Sequence, residues 1–198
     1  MRKEEKMLKK GRLAAAYSKL DDRLQLAVIE EYQRLLLENK GMDASLKKHM
    51  NDAVLPAVSF YRVLQSNGYS RKEAFQIIRK SVLETAKPME QFLESFGKFP
   101  LFFPIFRRMC KLSTKTSYGG EGWSFLWKQN TPNRIEWECR SCVYFNQFCR
   151  YEMRELTTIF CESDDVVYGN IKNARWGRTQ TIGRGAEFCD FRFYREGR

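Results

Sequence analysis

Histidine and long apolar runs are both scarce in this chain, and each scarcity removes a class of chemistry. His49 is the single histidine in 198 residues, so Ser-His-Asp or Cys-His machinery and His-rich metal sites would all have to pass through one side chain. The longest apolar stretch, Phe96 to Phe106, is interrupted by Lys98 and two prolines, which argues against a membrane-spanning helix. The opening MRKEEKMLKKGR has charge but neither an apolar core behind it nor a small-residue cleavage site. It does not read as a secretory signal, and the expected address is the cytoplasm. Internal repeats and low-complexity tracts are missing as well.

What is present suits a folded domain. Hydrophobic residues make up 43% and aromatics 14% of the chain, enough to build a core at this length. The formal charge is +11, yet the excess is diffuse: residues 151–198 carry eight basic and eight acidic side chains, and only Phe106 to Lys115 concentrates positive charge. No nucleic-acid motif accompanies it, so the charge predicts a solvated basic face or a lure for anionic small molecules, with no nucleic-acid partner. Five of the six cysteines fall from Cys139 onward; without a signal they read as thiols rather than a disulfide framework.

Periodicity predicts an α+β chain: a helical region over 1–112, a linker over 113–122, and a ββαββ antiparallel layer over 123–198 packed with the helices as one unit. One helix is expected over residues 3–39, closed near Gly41. A second starts near Ala44, with Pro56 kinking or restarting it and Gly68 ending it. A third opens on a capping box formed by Ser70 and Glu73 and runs through Thr85, and a fourth begins at Pro88. Beyond the linker, WSFLWKQ and RIEWECRSCVYF alternate as a hairpin around NTPN, YEMRELTTIFCES returns to helix, and a last hairpin over residues 166–194 turns at GRG.

The thiols come first among groups that carry chemistry. Cys139, Cys142, Cys149 and Cys161 have spacing C-x2-C-x6-C-x11-C. On a strand, Cys139 and Cys142 point to opposite faces unless the strand ends by Ser141, so buried thiols are expected ahead of a metal site. Cys161 is followed by Asp164 and Asp165 within one helical turn. In EFCDFRF, alternation sends Cys189 to the face of Phe191 and Phe193 and puts Asp190 with Arg192 on the other. Asp190 then either pairs with a cross-strand arginine such as Arg178, or joins thiols and carboxylates that converge on one pocket. His49 reads as a helix-surface histidine, and Glu155 either faces the pocket or lies on the solvated face.

Several phrases in order resemble the bacterial L-2-amino-thiazoline-4-carboxylic acid hydrolase family: LPAVSFYRVLQSNGYSRKEAF, GKFPLFFPIFRRM, GWSFLW, EWECRSCVYF, RELTTIFCESDD and RTQTIGRGAEFCDFRF. The resemblance covers most of the chain. It implies a cytoplasmic α+β hydrolase that acts on a C–N bond of a cyclic amidine, opening a thiazoline ring to a carbamoyl-cysteine with no cofactor. The family-like positions are Cys142, Glu155, Cys161, Asp164, Arg178, Thr179, Gly183, Cys189 and Asp190. In that reading Cys161 or Cys189 attacks the ring carbon, or Asp164 or Asp190 activates water, while Arg178 holds the substrate carboxylate, with Thr179, Glu155 and Cys142 completing the binding surface. The expected partner is a small carboxylate-bearing molecule, not a membrane. Two other classes stay open: a binding or sensing domain without turnover, and a cysteine-ligated metal or redox protein.

Overall fold

The computed structural model describes residues 3–196. In place of one helix over 3–39 there are three, α1 (Lys3–Lys10), the single turn α2 (Ala14–Tyr17) and α3 (Asp22–Glu38). The breaks have local causes. Gly11 is a poor helix former, and the Asp21 carboxylate accepts the Leu24 N–H at 2.8 Å, which starts a new helix instead of extending the old one. Leu24, Val28, Tyr32 and Leu35 then fall on one buried face. The Asn39 amide donates back to the Leu35 carbonyl at 2.7 Å and closes α3, so the cap is Asn39 and not Gly41.

After α4 (Ala44–His49) the chain widens into a π-helical turn, Met50–Val54, and continues as α5 (Leu55–Ser66). The Leu55 N–H reaches back to Met50, and Pro56 follows at the start of α5, where a missing donor costs least. Gly68 ends the segment at φ +90°. α6 (Arg71–Gly97) opens on the expected capping box of Ser70 and Glu73, but it passes unbroken through Pro88. Pro88 lies on the exposed side, while Ala74, Ile78, Val82 and Leu93 are buried on either side of it, so packing holds the helix together across the missing hydrogen bond. α7 (Phe102–Thr116) occupies the start of the stretch with linker composition.

The second half holds β1 (Ser124–Asn130), β2 (Arg134–Ser141), α8 (Val143–Arg150), a 3₁₀ turn at Arg154–Leu156, α9 (Thr157–Tyr168), β3 (Ala174–Gly177) and β4 (Cys189–Arg195). The four strands form one antiparallel sheet in the order β1-β2-β4-β3. The fold class is therefore α+β, with helices before the sheet and the helical part between its two strand pairs made of two helices, α8 and α9. β2 stops at Ser141 and the following VYF is helical, because Val143 and Phe148 gain a buried helical face that overrides their strand preference. α9 likewise runs on to Tyr168, so Cys161 sits mid-helix and the strand expected from residue 166 shrinks to Ala174–Gly177.

Two main cores result. One joins α3, α5 and α6, and the other is an aromatic layer between α7 and the sheet, where Phe106 meets Phe193 edge-on at 4.9 Å. α9 packs along α6 and ties the halves together. At the end of α6, Gly97 lies so close to the next segment that a Cβ would come within 2.5 Å of the Lys172 carbonyl oxygen. Among the described residues no helix is long and apolar enough to cross a membrane.

Candidate functional site

Between the start of the chain, α6, α7, α9 and the inner face of the sheet lies a cavity of about 1230 Å³. Its wall is aromatic, with Phe106, Tyr118, Trp123, Trp137 and Tyr144 among its residues, and the exposed side chains Lys3, Lys6 and Lys10 of α1 mark where it opens. Five thiols reach it: Cys110 from α7, Cys139 from β2, Cys142 from the β2–α8 joint, Cys161 from α9 and Cys189 from β4. The end of β2 at Ser141 is what lets Cys139 and Cys142 face the same space. Cys139 and Cys189 are directly opposite one another across the β2–β4 ladder.

The charged centre of the wall is Arg178, the residue after β3, with Asp164 and Asp165 of α9. The Arg178 side chain is only 3% exposed, and its charge is met on two sides: Nη2 donates to the Asp165 carboxylate and to the Cys161 carbonyl, both at 2.5 Å, and Nη1 reaches Asp164 at 3.2 Å. Trp176 and Phe191 lie at 5.5 and 5.9 Å from it. Asp165 also accepts the Trp176 indole N–H at 3.1 Å. Asp165 therefore does most of the neutralising, and Asp164 is left with one long contact and the cavity in front of it. Burial pushes the Asp164 carboxyl up to about 6, against the pull of the Arg178 and Arg12 charges and with the like charge of Asp165 adding to the rise.

The thiols are not equivalent. Burial raises Cys142 to about 12 and Cys161 to about 11. Cys189 moves the other way: the Cys139 thiol holds it below the ordinary thiol value, against burial, and the Ile182 N–H, 3.2 Å from its sulfur, and the Arg178 charge add to this. Cys139 is pushed up by its neighbour Cys189 and by burial, while its thiol hydrogen donates to the Ser141 carbonyl at 3.2 Å. Gly183 approaches the site so closely that a Cβ there would lie 2.9 Å from the Cys161 sulfur.

Of the residues singled out from the sequence, Cys142, Cys161, Asp164, Arg178 and Cys189 come together on this cavity; Glu155, Thr179 and Asp190 do not line it. Glu155 accepts from the Tyr61 hydroxyl at 2.6 Å and pairs with Arg71 on the helical side. Asp190 is 1% exposed and accepts the Thr179 N–H and hydroxyl and the Gln180 N–H, all within 3.1 Å, with Arg192 alongside at 3.1 Å. Its partners are thus the 179–180 turn and Arg192 of its own strand, and not Arg178, which Asp164 and Asp165 already engage. That buried, saturated carboxylate is why an aspartate sits inside a strand. Burial works against its charge, but the Gln180 and Thr179 donors win and hold its carboxyl below the ordinary range.

Sequence reasoning missed one residue behind the wall and one on it. His49 is buried, not on a helix surface: its Nε2–H donates to the Ser117 carbonyl at 2.7 Å, and Nδ1 accepts from the Tyr144 hydroxyl at 3.2 Å. Burial lowers its pKa, so the ring is neutral and orients Tyr144. Arg12 was missed because the helix pattern ran through it; the glycine beside it was the available signal. Among the described residues no three His, Cys, Asp or Glu side chains group so as to hold a metal ion.

Comparison with known families bears on this wall directly. The family model described as L-2-amino-thiazoline-4-carboxylic acid hydrolase matches residues 47–193, which takes in α5, the whole sheet nearly to its last residue, and all five cavity thiols. The chain belongs to the L-2-amino-thiazoline-4-carboxylic acid hydrolase family. No curated protein and no solved structure matches it. For this family the match supports a hydrolase assignment, and it covers Asp164, Arg178 and Cys189 while leaving out α1, α2 and α3.

Proposed function

We propose that this chain is a hydrolase that opens a cyclic amidine of the 2-amino-thiazoline-4-carboxylate type, with Asp164 as the base that activates water. The observation that carries the reading is a carboxyl with pKa about 6 on the wall of a large, partly enclosed cavity. A base near neutrality is ionised at working pH yet still takes a proton in the transition state. Water adds to the electrophilic C=N carbon, its proton passes to Asp164, and the ring nitrogen is protonated. Collapse of the tetrahedral centre expels the ring sulfur, which takes up a proton and leaves as a thiol, giving the carbamoyl product. Arg178 keeps Asp164 oriented; with its charge already met by two aspartates, it is a positioning residue in this scheme. The cytoplasm remains the expected setting.

One observation favours a variant of the same chemistry. Cys189 is the cavity thiol whose acidity is enhanced; in this variant its sulfur attacks the ring carbon, the ring sulfur is expelled and protonated to a thiol, and water then adds to the same carbon and expels the Cys189 sulfur to give the carbamoyl product. Turnover of 2-amino-thiazoline-4-carboxylate, followed by thiol release and mass, separates the two. Asp164→Asn should cut kcat/KM by roughly 10²–10⁴, and the wild-type profile should fall on the acid side near pH 6, where the base becomes protonated. Loss in Cys189→Ser with Asp164→Asn active would transfer the role to the thiol. Undiminished turnover in both variants, or no turnover by the wild type, would overturn the reading.

A further inference from the structure

We infer that Arg12 is the anion anchor of the cavity, and that the ligand is an amphipathic anion: an apolar body against the aromatic wall with one negatively charged group at the Arg12 guanidinium. The inference rests on the hydrolase reading only in placing the ligand in this cavity. It differs from the sequence expectation, which gave the anion to Arg178.

The argument begins with which cations are available. Two arginines line the cavity, Arg12 and Arg178. Arg178 is buried and its charge is already met by Asp164, Asp165 and the Cys161 carbonyl. A substrate carboxylate could reach it only by displacing those partners. Arg12 is half-buried, forms no ion pair or side-chain hydrogen bond among the described residues, and lies over the Phe160 ring at 5.8 Å. Its charge is felt by Asp164, Tyr118 and Tyr144, three groups of the wall. A guanidinium left without a carboxylate in a half-buried cavity is a site for a ligand's anion.

Its backbone is fixed in that place. The break between α1 and α2 puts Arg12 at the cavity, and its carbonyl accepts the Ser81 hydroxyl at 3.2 Å, with the Thr85 hydroxyl, shared with the Val82 carbonyl, 3.3 Å away, both on α6. Ser81 also accepts the Ala16 N–H at 3.0 Å, so α6 holds the whole turn. Lys3, Lys6 and Lys10 share the opening with one carboxylate, Asp52, and give it a net positive field that draws anions inward. The volume, about 1230 Å³, exceeds the roughly 300–1,000 Å³ of ordinary small-molecule pockets. A thiazoline carboxylate would fill a small part of it, so the apolar body can be larger than one ring.

Two dyes with nearly the same apolar body test this without turnover: 8-anilino-1-naphthalenesulfonate, which is an anion, and N-phenyl-1-naphthylamine, which is neutral. The full-length protein should bind the anionic dye more tightly than the neutral one. Arg12→Gln should weaken the anionic dye by roughly tenfold to a hundredfold, the range for a charge-assisted contact, and leave the neutral dye within about twofold, since the aromatic wall is untouched. Arg12→Lys should retain most of the preference. Arg12→Met, which keeps an apolar stem against Phe160, is the second variant if the glutamine form does not fold, and the same loss is expected of it. Equal weakening of both dyes, unchanged binding of the anionic dye, or failure of the wild type to bind either would overturn the inference. Retained dye selectivity with no thiazoline turnover would instead refute the hydrolase reading and leave Arg12 in place.

Discussion

Replacing Asp164 by Asn should stabilise the protein at pH 8 while removing activity. The folded carboxyl holds its proton up to about pH 6, whereas in the unfolded chain it releases it near 3.8. Wild-type stability from this group is therefore full below about pH 4 and is lost as the pH rises through 6. The rise corresponds to about 3 kcal/mol for a dry site. The side chain is 38% open to the cavity, so screening reduces this to about 1–2 kcal/mol. The asparagine has no charge to desolvate, its carbonyl can still accept from Arg178 Nη1, and Arg178 keeps Asp165 and the Cys161 carbonyl. Urea unfolding of both forms at pH 8 and pH 4.5 measures the difference: a gain of about 1–2 kcal/mol at pH 8 that shrinks by more than half at pH 4.5. A variant destabilised equally at both pH values would show that the Arg178 contact outweighs the desolvation of Asp164, and the argument for a poised base would fail with it.

Other substitutions probe separate parts of the site. Cys139→Ala removes the thiol that acidifies Cys189, so alkylation of Cys189 by iodoacetamide at pH 7 should slow several-fold; an unchanged rate would leave Ile182 and Arg178 as the sole acidifying groups. Asp190→Asn breaks a buried carboxylate with donors from Thr179 and Gln180 and should cost about 2–3 kcal/mol. Because its folded pKa is depressed, that contribution is present above the ordinary carboxylate range and is lost in acid, so denaturation midpoints of the two forms should converge as the pH falls below that range. Gly183→Ala forces a methyl against the Cys161 sulfur and the Thr157 methyl, at 2.9 and 3.0 Å. It should cost about 1–3 kcal/mol and alter Cys161 reactivity, read by thermal unfolding and thiol titration.

The sequence alone determined the fold class, the capping box at Ser70, the β1–β2 hairpin, and the alternation that puts Cys189 and Asp190 on opposite faces of the sheet, because these depend on spacing within one short segment. It also carried the family resemblance, whose motifs are local. Tertiary structure decided the rest. Whether α6 passes through Pro88, whether VYF after Cys142 is strand or helix, and where α9 ends all turned on which face could be buried against a neighbour. The site followed the same rule. Arg178 and Arg12 are identical side chains in a sequence, and only the third dimension gives one of them two aspartates and leaves the other facing an open cavity. Partners supplied from distant segments set charge balance and burial, and those two quantities separate a structural ion pair from a ligand site.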